Sequence, residues 1–403
     1  MVIEYNNGEH HLVSYSNSPD RSSSQNVVTQ GYYSKKYDEI MHASIYPNKI
    51  SFWRELVGIS HSRYAVREKE KNIPNGILSL NAARTLDRCV NWLVYLAKKK
   101  KVFIPKLNKE LYFKINFITL TLPSSQIKRI ENLDGTVYQE SEYKDIWPLV
   151  NYGYAQVYYK NTDAEIKELC LNQFFVELRN RWKCRLYLWK AETQKNGNIH
   201  FHVILDKYIF YEDLRNVWNR ILNKLGYVDE YADKFSSYNF QDYKKEFHRS
   251  SGLSLKKLAS RFDKGVREKW QNPNSTDVHA VENVADMVAY LCSYVKKNDQ
   301  MKRWVDGNIW RCSELLGSFN KLDVSEAAMS LDEVNDLCDK YPKLKFKVTD
   351  DMLKKNPSLI FVCIYKIKVF LFKKNFKNSK IYSMFQDYID SILGQFSLTF
   401  ADL

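Results

Sequence analysis

The stretch RLYLWKAETQKNGNIHFHVILD, residues 185–206, contains the pattern that decides the fold. Two runs of β-prone residues, 185–192 and 198–206, flank the turn sequence Thr-Gln-Lys-Asn-Gly. Asn-Gly and polar residues between two such runs favour a tight reversal of the chain. The stretch therefore predicts an antiparallel β-hairpin. If its turn centres near Asn196, Glu192 lies opposite His200.

His200 and His202 stand two residues apart on the second predicted strand. Side chains at this spacing point to the same face of a sheet, so both imidazoles project together and Phe201 points into the core. We expect the imidazole face to be open to solvent. Two imidazoles bind a divalent metal when a third ligand joins them, and the Glu192 carboxylate would complete the set. A register shift of one residue would bring Gln194 there instead.

A second pattern, VAYLCSYVKK at residues 288–297, falls in a segment that predicts a helix from about 283 to 297. Tyr290, Tyr294 and Lys297 then form one stripe along the helix. A phenol with its usual pKa of about 10 is a poor nucleophile. A nearby ammonium favours the phenolate, and a metal ion makes a bound phosphate a better electrophile. Two tyrosines at this spacing also occur where a helix packs into a core.

The other periodic segments predict an α+β domain with an antiparallel central sheet and flanking helices, from about 105 to 300. Helices are expected at 79–101, 163–181 and 211–225, and strands at 112–122 and 277–281. Little repetitive structure is expected at 124–163 and 227–276. Outside this core we expect a mobile polar tail at 1–30, a mainly helical accessory region at 31–105 and a C-terminal accessory region at 316–403.

Composition narrows the function classes. Lys plus Arg number 61 against 47 Asp plus Glu, and the net charge of +14 favours a polyanionic partner, although a Lys-rich composition alone gives the same charge.

The cysteines stand singly without a C-x-x-C pair, which is typical of reduced thiols in a cytoplasmic protein. No signal peptide or spanning segment is expected: the most apolar stretch, 358–374, is short and interrupted by Lys366 and Lys368. Apolar and polar residues alternate in the second half of this stretch, which predicts a strand or a buried amphipathic segment.

Three segments, taken in order, resemble the motifs of the HUH endonucleases that initiate rolling-circle replication. FITLTLP at 117–123 resembles the first motif, GNIHFHV at 197–203 the His-hydrophobic-His motif, and YLCSYVKK at 290–297 the tyrosine motif. The similarity is greatest to initiators of small single-stranded DNA phages, microviruses in particular, whose tyrosine motif holds two tyrosines four apart. GNIWRCS at 307–313 also resembles a Gly-x-x-Trp-x-x-Ser segment of those initiators. The resemblance covers roughly residues 110–315.

The resemblance implies an HUH nuclease domain with a ferredoxin-like core at 106–315. It implies that His200, His202 and Glu192 hold Mg²⁺ or Mn²⁺ at the scissile phosphate of a single-stranded or extruded origin. A tyrosine would attack the phosphorus, leaving a 5′-phosphotyrosine link and a free 3′-OH, and the strand would be rejoined after one round of replication.

The resemblance also ranks the two tyrosines. The family places a lysine three residues after a catalytic tyrosine; Lys297 stands there after Tyr294, but Ser293 stands there after Tyr290. Tyr294 is therefore the first choice and Tyr290 the second. Contacts to DNA are implied for three residues of the motifs, namely Thr119, Thr121 and Lys296. No phosphate-binding loop of a fused helicase occurs, so a host helicase and DNA polymerase are the expected partners, with no membrane partner.

Three other interpretations remain open. A transposase or relaxase of the same superfamily would differ by transferring the strand to a target site or by a third histidine in the cluster, and no third histidine stands near His200 in the sequence. A non-haem iron or cupin-like oxygenase also uses two histidines and a carboxylate. A DNA-binding protein without activity would carry the histidines as packed side chains.

Overall fold

The computed structural model describes residues 2–6, 9–13, 39–47, 49–56, 76, 78–105, 108–281, 302–325, 359–363 and 380–403. Within these residues the strands are β1 (Val2–Asn6), β2 (Glu9–Val13), β3 (Glu39–Tyr46), β4 (Lys49–Leu56), β5 (Lys100–Ile104), β6 (Lys109–Phe113), β7 (Ile115–Leu120), β8 (Ile127–Asn132), β9 (Ala155–Tyr159), β10 (Tyr187–Thr193), β11 (Ile199–Leu205), β12 (Thr276–Val281), β13 (Trp310–Cys312), β14 (Leu322–Ser325) and β15 (Leu359–Cys363). The helices are α1 (Leu80–Leu96), α2 (Tyr143–Asn151), α3 (Asp163–Ile166), α4 (Asn172–Asn180), α5 (Tyr211–Asn223), α6 (Tyr227–Ser236), α7 (Phe240–Ser251), α8 (Leu255–Arg267), α9 (Glu314–Ser318) and α10 (Lys380–Gln395).

The chain divides into two compact units, and each is built around a sheet. One unit comprises Met1–Glu70 with Asn320–Ser391, and the other comprises Lys71–Phe319 with Ile392–Leu403. The region from 106 to 315 lies inside the second unit.

The second unit contains a five-stranded sheet in the order β12-β7-β11-β10-β13. Every neighbouring pair in it is antiparallel. The prediction of an α+β fold with an antiparallel central sheet is therefore confirmed. The predicted helices at 79–101, 163–181 and 211–225 correspond to α1, to α3 and α4 joined by a π-helical turn, and to α5.

The two faces of this sheet are covered differently. On one face, Phe201 and Val203 of β11 pack into a core with α4 and α5 that includes Phe174 and Trp218. Side chains alternate along a strand, so His200 and His202 project from the other face. Helix α1 reaches that second face, where the sulfur atoms of Cys89 and Cys312 lie 3.7 Å apart.

The expectation of mainly loop at 124–163 is wrong. Strands β8 and β9 pair, and α2 packs on them around a small core that contains Ile127 and Trp147. The apolar residues of this core come from three short elements, so the sequence shows no single period.

The expectation of irregular structure at 227–276 is also wrong. Helices α6, α7 and α8 fill most of it and surround an aromatic core that includes Phe235, Tyr243 and Trp270. Asn239 and Ser254 cap the amino ends of α7 and α8. Aromatic residues far apart in the sequence supply this core, so their periodicity is weak.

The first unit has a four-stranded sheet in the order β14-β3-β4-β15. Strands β3 and β4 form a hairpin around Pro47, so the described part of 31–105 contains strands where mainly helix was expected. Within 1–30, where a mobile tail was expected, β1 and β2 pair. Strand β15 lies in the apolar stretch 358–374, whose second half is outside the described residues. In the part of the chain that the structure covers, no helix has the length and apolar character needed to cross a membrane.

Candidate metal centre

The hairpin β10–β11 has the predicted register. Glu192 pairs with His200, and Lys190 pairs with His202. The reversal needs a glycine: Gly197 has φ +84°, and a Cβ on it would lie 2.4 Å from the Trp147 ring. Trp147 also donates a hydrogen bond from Nε1 to the carbonyl of Lys195. Helix α2 therefore fixes the turn, and the turn fixes which residues face each other.

Glu192, His200 and His202 form the cluster that the sequence predicted, and their ligand atoms all lie within 4.8 Å of one another. The two Nε2 atoms are 2.8 Å apart. Glu192 Oε2 lies 3.9 Å from Nε2 of His200 and 3.8 Å from Nε2 of His202. Two imidazole nitrogens and a carboxylate oxygen that converge in this way can hold a divalent metal ion. The alternative ligand, Gln194, lies in the turn, where its backbone N–H donates to the carbonyl of Asn198 at 2.8 Å.

The two imidazoles are buried, with His200 8% exposed and His202 5% exposed, so the expectation of a solvent-open face is wrong. Phe117 stacks on the His202 ring at a centroid distance of 5.4 Å, which accounts for part of this burial. Burial lowers the pKa of His200 to about 4. Burial, together with repulsion from His200 and Lys190, lowers the pKa of His202 to about 2. Both rings are therefore neutral near pH 7, and neutral imidazole is the form that binds a metal.

The ring of His202 is held by a second contact. Its Nδ1 lies 3.1 Å from Thr119 Oγ1, which belongs to the neighbouring strand β7. When Nδ1–H donates to that oxygen, Nε2 keeps its lone pair and points it into the cluster. His200 Nδ1 is buried and has no hydrogen-bond partner among the residues that the structure describes, which leaves Nε2 as its nitrogen on the cluster side.

Two lysines approach the carboxylate of the cluster. Lys190 Nζ lies 2.8 Å from Glu192 Oε1, and Lys302 Nζ lies 4.0 Å from Glu192 Oε2. Lys190 is 3% exposed, which is rare for a lysine unless it is paired. Neither lysine was predicted as part of the site, although Lys190 precedes Glu192 by two residues on the same strand and therefore shares its face. The cluster therefore places three groups that can bind a metal ion beside two lysine side chains.

A buried polar network supports the hairpin from outside the sheet. The Arg303 guanidinium pairs with both carboxylate oxygens of Asp163, each at 2.8 Å, and donates to the carbonyl of Gly197. Asp163 also accepts from Gln126, whose backbone N–H donates to Asn198. Burial raises the pKa of Asp163, but the charge and hydrogen bonds of Arg303 outweigh it and hold that pKa below its usual range. No periodic pattern in the amino-acid sequence indicates this network.

Of the other predicted residues, some lie in the described part of the chain and the tyrosine motif does not. The Thr121 hydroxyl donates to the carbonyl of Ser275, 3.0 Å away. The segment 307–313 supplies the edge strand β13, in which Trp310 pairs with Lys190. The residues of the tyrosine motif, namely Tyr290, Tyr294, Lys296 and Lys297, lie outside the described residues.

Comparisons of the chain with models of known protein families, with curated proteins and with solved structures find no match.

Proposed function

We propose that this protein is a metal-dependent endonuclease that nicks one strand of a circular viral or plasmid DNA and so initiates rolling-circle replication. One observation carries the proposal: a two-histidine, one-carboxylate cluster on a single sheet face, with the ammonium groups of Lys190 and Lys302 beside it. This charge arrangement suits an anionic substrate such as a phosphodiester.

In the proposal the three residues of the cluster share one task, and the residues around it have others. His200, His202 and Glu192 hold Mg²⁺ or Mn²⁺, which when bound polarises the scissile phosphate. Thr119 orients the His202 ring through Nδ1. Lys190 neutralises and orients the Glu192 carboxylate through Oε1. The Lys302 ammonium, which is half-buried, attracts the phosphate toward the cluster.

The tyrosine motif supplies the nucleophile in this proposal. The phenolate oxygen of Tyr294 forms a bond to phosphorus, and the bond from phosphorus to the 3′ oxygen breaks. That oxygen takes a proton and becomes the free 3′-OH, while the 5′ phosphate stays on the tyrosine. Lys297 stabilises the phenolate, and Tyr290 cuts the regenerated origin so that the strand can be rejoined. Thr119, Thr121 and Lys296 are the proposed contacts to DNA.

The alternatives differ in steps that can be measured. A transposase or relaxase would move the covalently held strand to another DNA, whereas an initiator rejoins it into a circle. An oxygenase would need iron, and a protein that only binds DNA would leave it uncut.

The test incubates the purified protein with labelled single-stranded DNA from its own replicon, with Mn²⁺ and with EDTA. We expect a covalent adduct on a denaturing gel with Mn²⁺ alone, and peptide mapping should place it on Tyr294. Tyr294→Phe should lose the adduct, and Tyr290→Phe should keep first nicking but fail to rejoin. An adduct on Tyr290 alone would reverse this ranking. Absence of any adduct or nick with Mn²⁺ would contradict the proposed function.

A further inference from the structure

Two aromatic side chains form an exposed surface at the end of α2. Tyr152, the residue that follows the helix, is 66% exposed. Its ring meets that of Trp304, which is half-buried, at a centroid distance of 5.6 Å and an interplanar angle of 70°. Large aromatic side chains gathered on the surface are informative because folding alone does not require them there.

This aromatic surface is joined directly to the metal cluster. The Asn151 side chain donates to the carbonyl of Lys302 at 2.8 Å and accepts from the N–H of Trp304 at 2.9 Å. Lys302 in turn places its ammonium 4.0 Å from Glu192 Oε2. Two residues span at most about 7 Å, so the Trp304 backbone lies within one extended dipeptide of the Lys302 backbone.

The connection is also rigid. Arg303, between the lysine and the tryptophan, is buried and paired with Asp163. Its carbonyl accepts a 2.6 Å hydrogen bond from the hydroxyl of Thr193, the residue after Glu192. The position of Trp304 relative to the cluster is therefore fixed before any substrate binds, which lowers the entropic cost of ordering a flexible strand.

We propose that Tyr152 and Trp304 form a platform on which an unpaired base next to the scissile phosphate stacks. Aromatic faces beside a cation are what a single strand requires, because each nucleotide offers a base to stack and a phosphate to neutralise. In a duplex the bases are already stacked on each other and cannot reach the rings. The platform rests on the proposed function and adds to it a binding surface for a base of the unpaired strand, separate from the residues that contact its phosphates.

The test separates contacts to bases from contacts to phosphates. Binding is followed by fluorescence anisotropy with two strands of about 12 nucleotides, a length within the range of single-strand binding sites. One is oligothymidylate, and the other has the same sugar-phosphate backbone without bases. We expect the wild-type protein to bind oligothymidylate about tenfold more tightly than the strand without bases.

Variants then show which side chains cause the difference in affinity between the two strands. Tyr152→Ala should lose about tenfold in affinity for oligothymidylate and nothing for the strand without bases, and Tyr152→Phe should keep wild-type affinity. Lys302→Ala should weaken binding of both strands by the same factor. Tyr211→Ala is the matched control, since Tyr211 is a 43% exposed tyrosine at the start of α5. It should bind both strands as the wild type does.

Equal effects of Tyr152→Ala on both strands, or no effect on either, would overturn the platform. Wild-type binding that ignores the bases would overturn it as well. The proposed function stands or falls separately: a base-dependent affinity that requires Tyr152, in a protein that never nicks DNA with Mn²⁺, would support the platform and contradict the nuclease.

Discussion

The hairpin β10–β11 and the helical segment α6–α8 belong to the same unit but are built in opposite ways. Every residue of β11 is buried, and elements from several parts of the chain fix the hairpin. Helix α8 buries only Leu258, and its exposed side is basic, with Lys256, Lys257, Arg261, Lys264 and Arg267. In the proposed function the hairpin holds the side chains that act on the phosphate, whereas α8 contributes only an exposed basic surface. Substitutions should therefore act on different quantities in the two regions.

The largest effect is expected from removing an imidazole of the cluster. His200→Ala or His202→Ala should abolish metal-dependent nicking, a loss of about a thousandfold or more, because the ion contributes several kcal/mol to stabilising the transition state. The rate of nicking with Mn²⁺ measures this. Because both rings are buried, the melting temperature of each variant in EDTA must be compared with that of the wild type. His200→Gln and His202→Gln repeat the test with side chains closer in volume to histidine. Near-wild-type cleavage by a folded variant would refute the metal assignment.

The next effect concerns the support of the hairpin. Asp163→Asn should lower the free energy of unfolding by about 3–5 kcal/mol at pH 7, because it leaves Arg303 buried without its partner charge. The pKa of Asp163 is lower in the folded protein than its value of about 3.9 in the unfolded chain. Its ionised carboxylate therefore stabilises the fold at pH values above about 3.9, and this contribution disappears as the pH falls through the folded pKa. Urea denaturation should therefore show that the free energies of unfolding of the wild type and Asp163→Asn become similar at acidic pH.

A surface ion pair provides the control for Asp163. Glu177 pairs with Arg220, a side chain that is 61% exposed. Glu177→Gln should cost no more than about 1 kcal/mol, because water screens an exposed pair. A loss for Asp163→Asn as small as that of Glu177→Gln would mean that the buried network does not support the hairpin.

The same contrast explains what the sequence could predict. The register of Glu192 and His200 follows from period-two alternation and one turn containing Gly197, which are both local signals. The core of α6–α8 and the pairing of Arg303 with Asp163 join residues far apart in the chain, which no local pattern reveals. Burial of the histidines was missed for the same reason, since Phe117 comes from another strand.

A smaller effect, on metal affinity, should show whether Glu192 or Gln194 is the third ligand. Glu192→Ala should weaken Mn²⁺ affinity by at least about 10- to 100-fold, because removing a residue that only orients the ligands of a metal site already costs that much. Gln194→Ala should leave it unchanged, because Gln194 lies in the turn beyond the strand. Isothermal titration with Mn²⁺ compares them. The reverse order would show that the hairpin pairs differently in solution.

The smallest effect is expected on α8. Lys257, Arg261 and Lys264 lie at i, i+4 and i+7, so they form one exposed stripe. If this stripe contacts phosphates, replacing all three residues by Gln should reduce the slope of log affinity against log salt by about one per residue, without changing the rate of nicking by the DNA-bound protein. Glu268→Gln is the control, since Glu268 continues the stripe with the opposite charge and its loss should not reduce the slope. A triple variant with the wild-type slope would assign the stripe to solvation, and one that binds normally but nicks slowly would contradict the division of tasks between hairpin and helices.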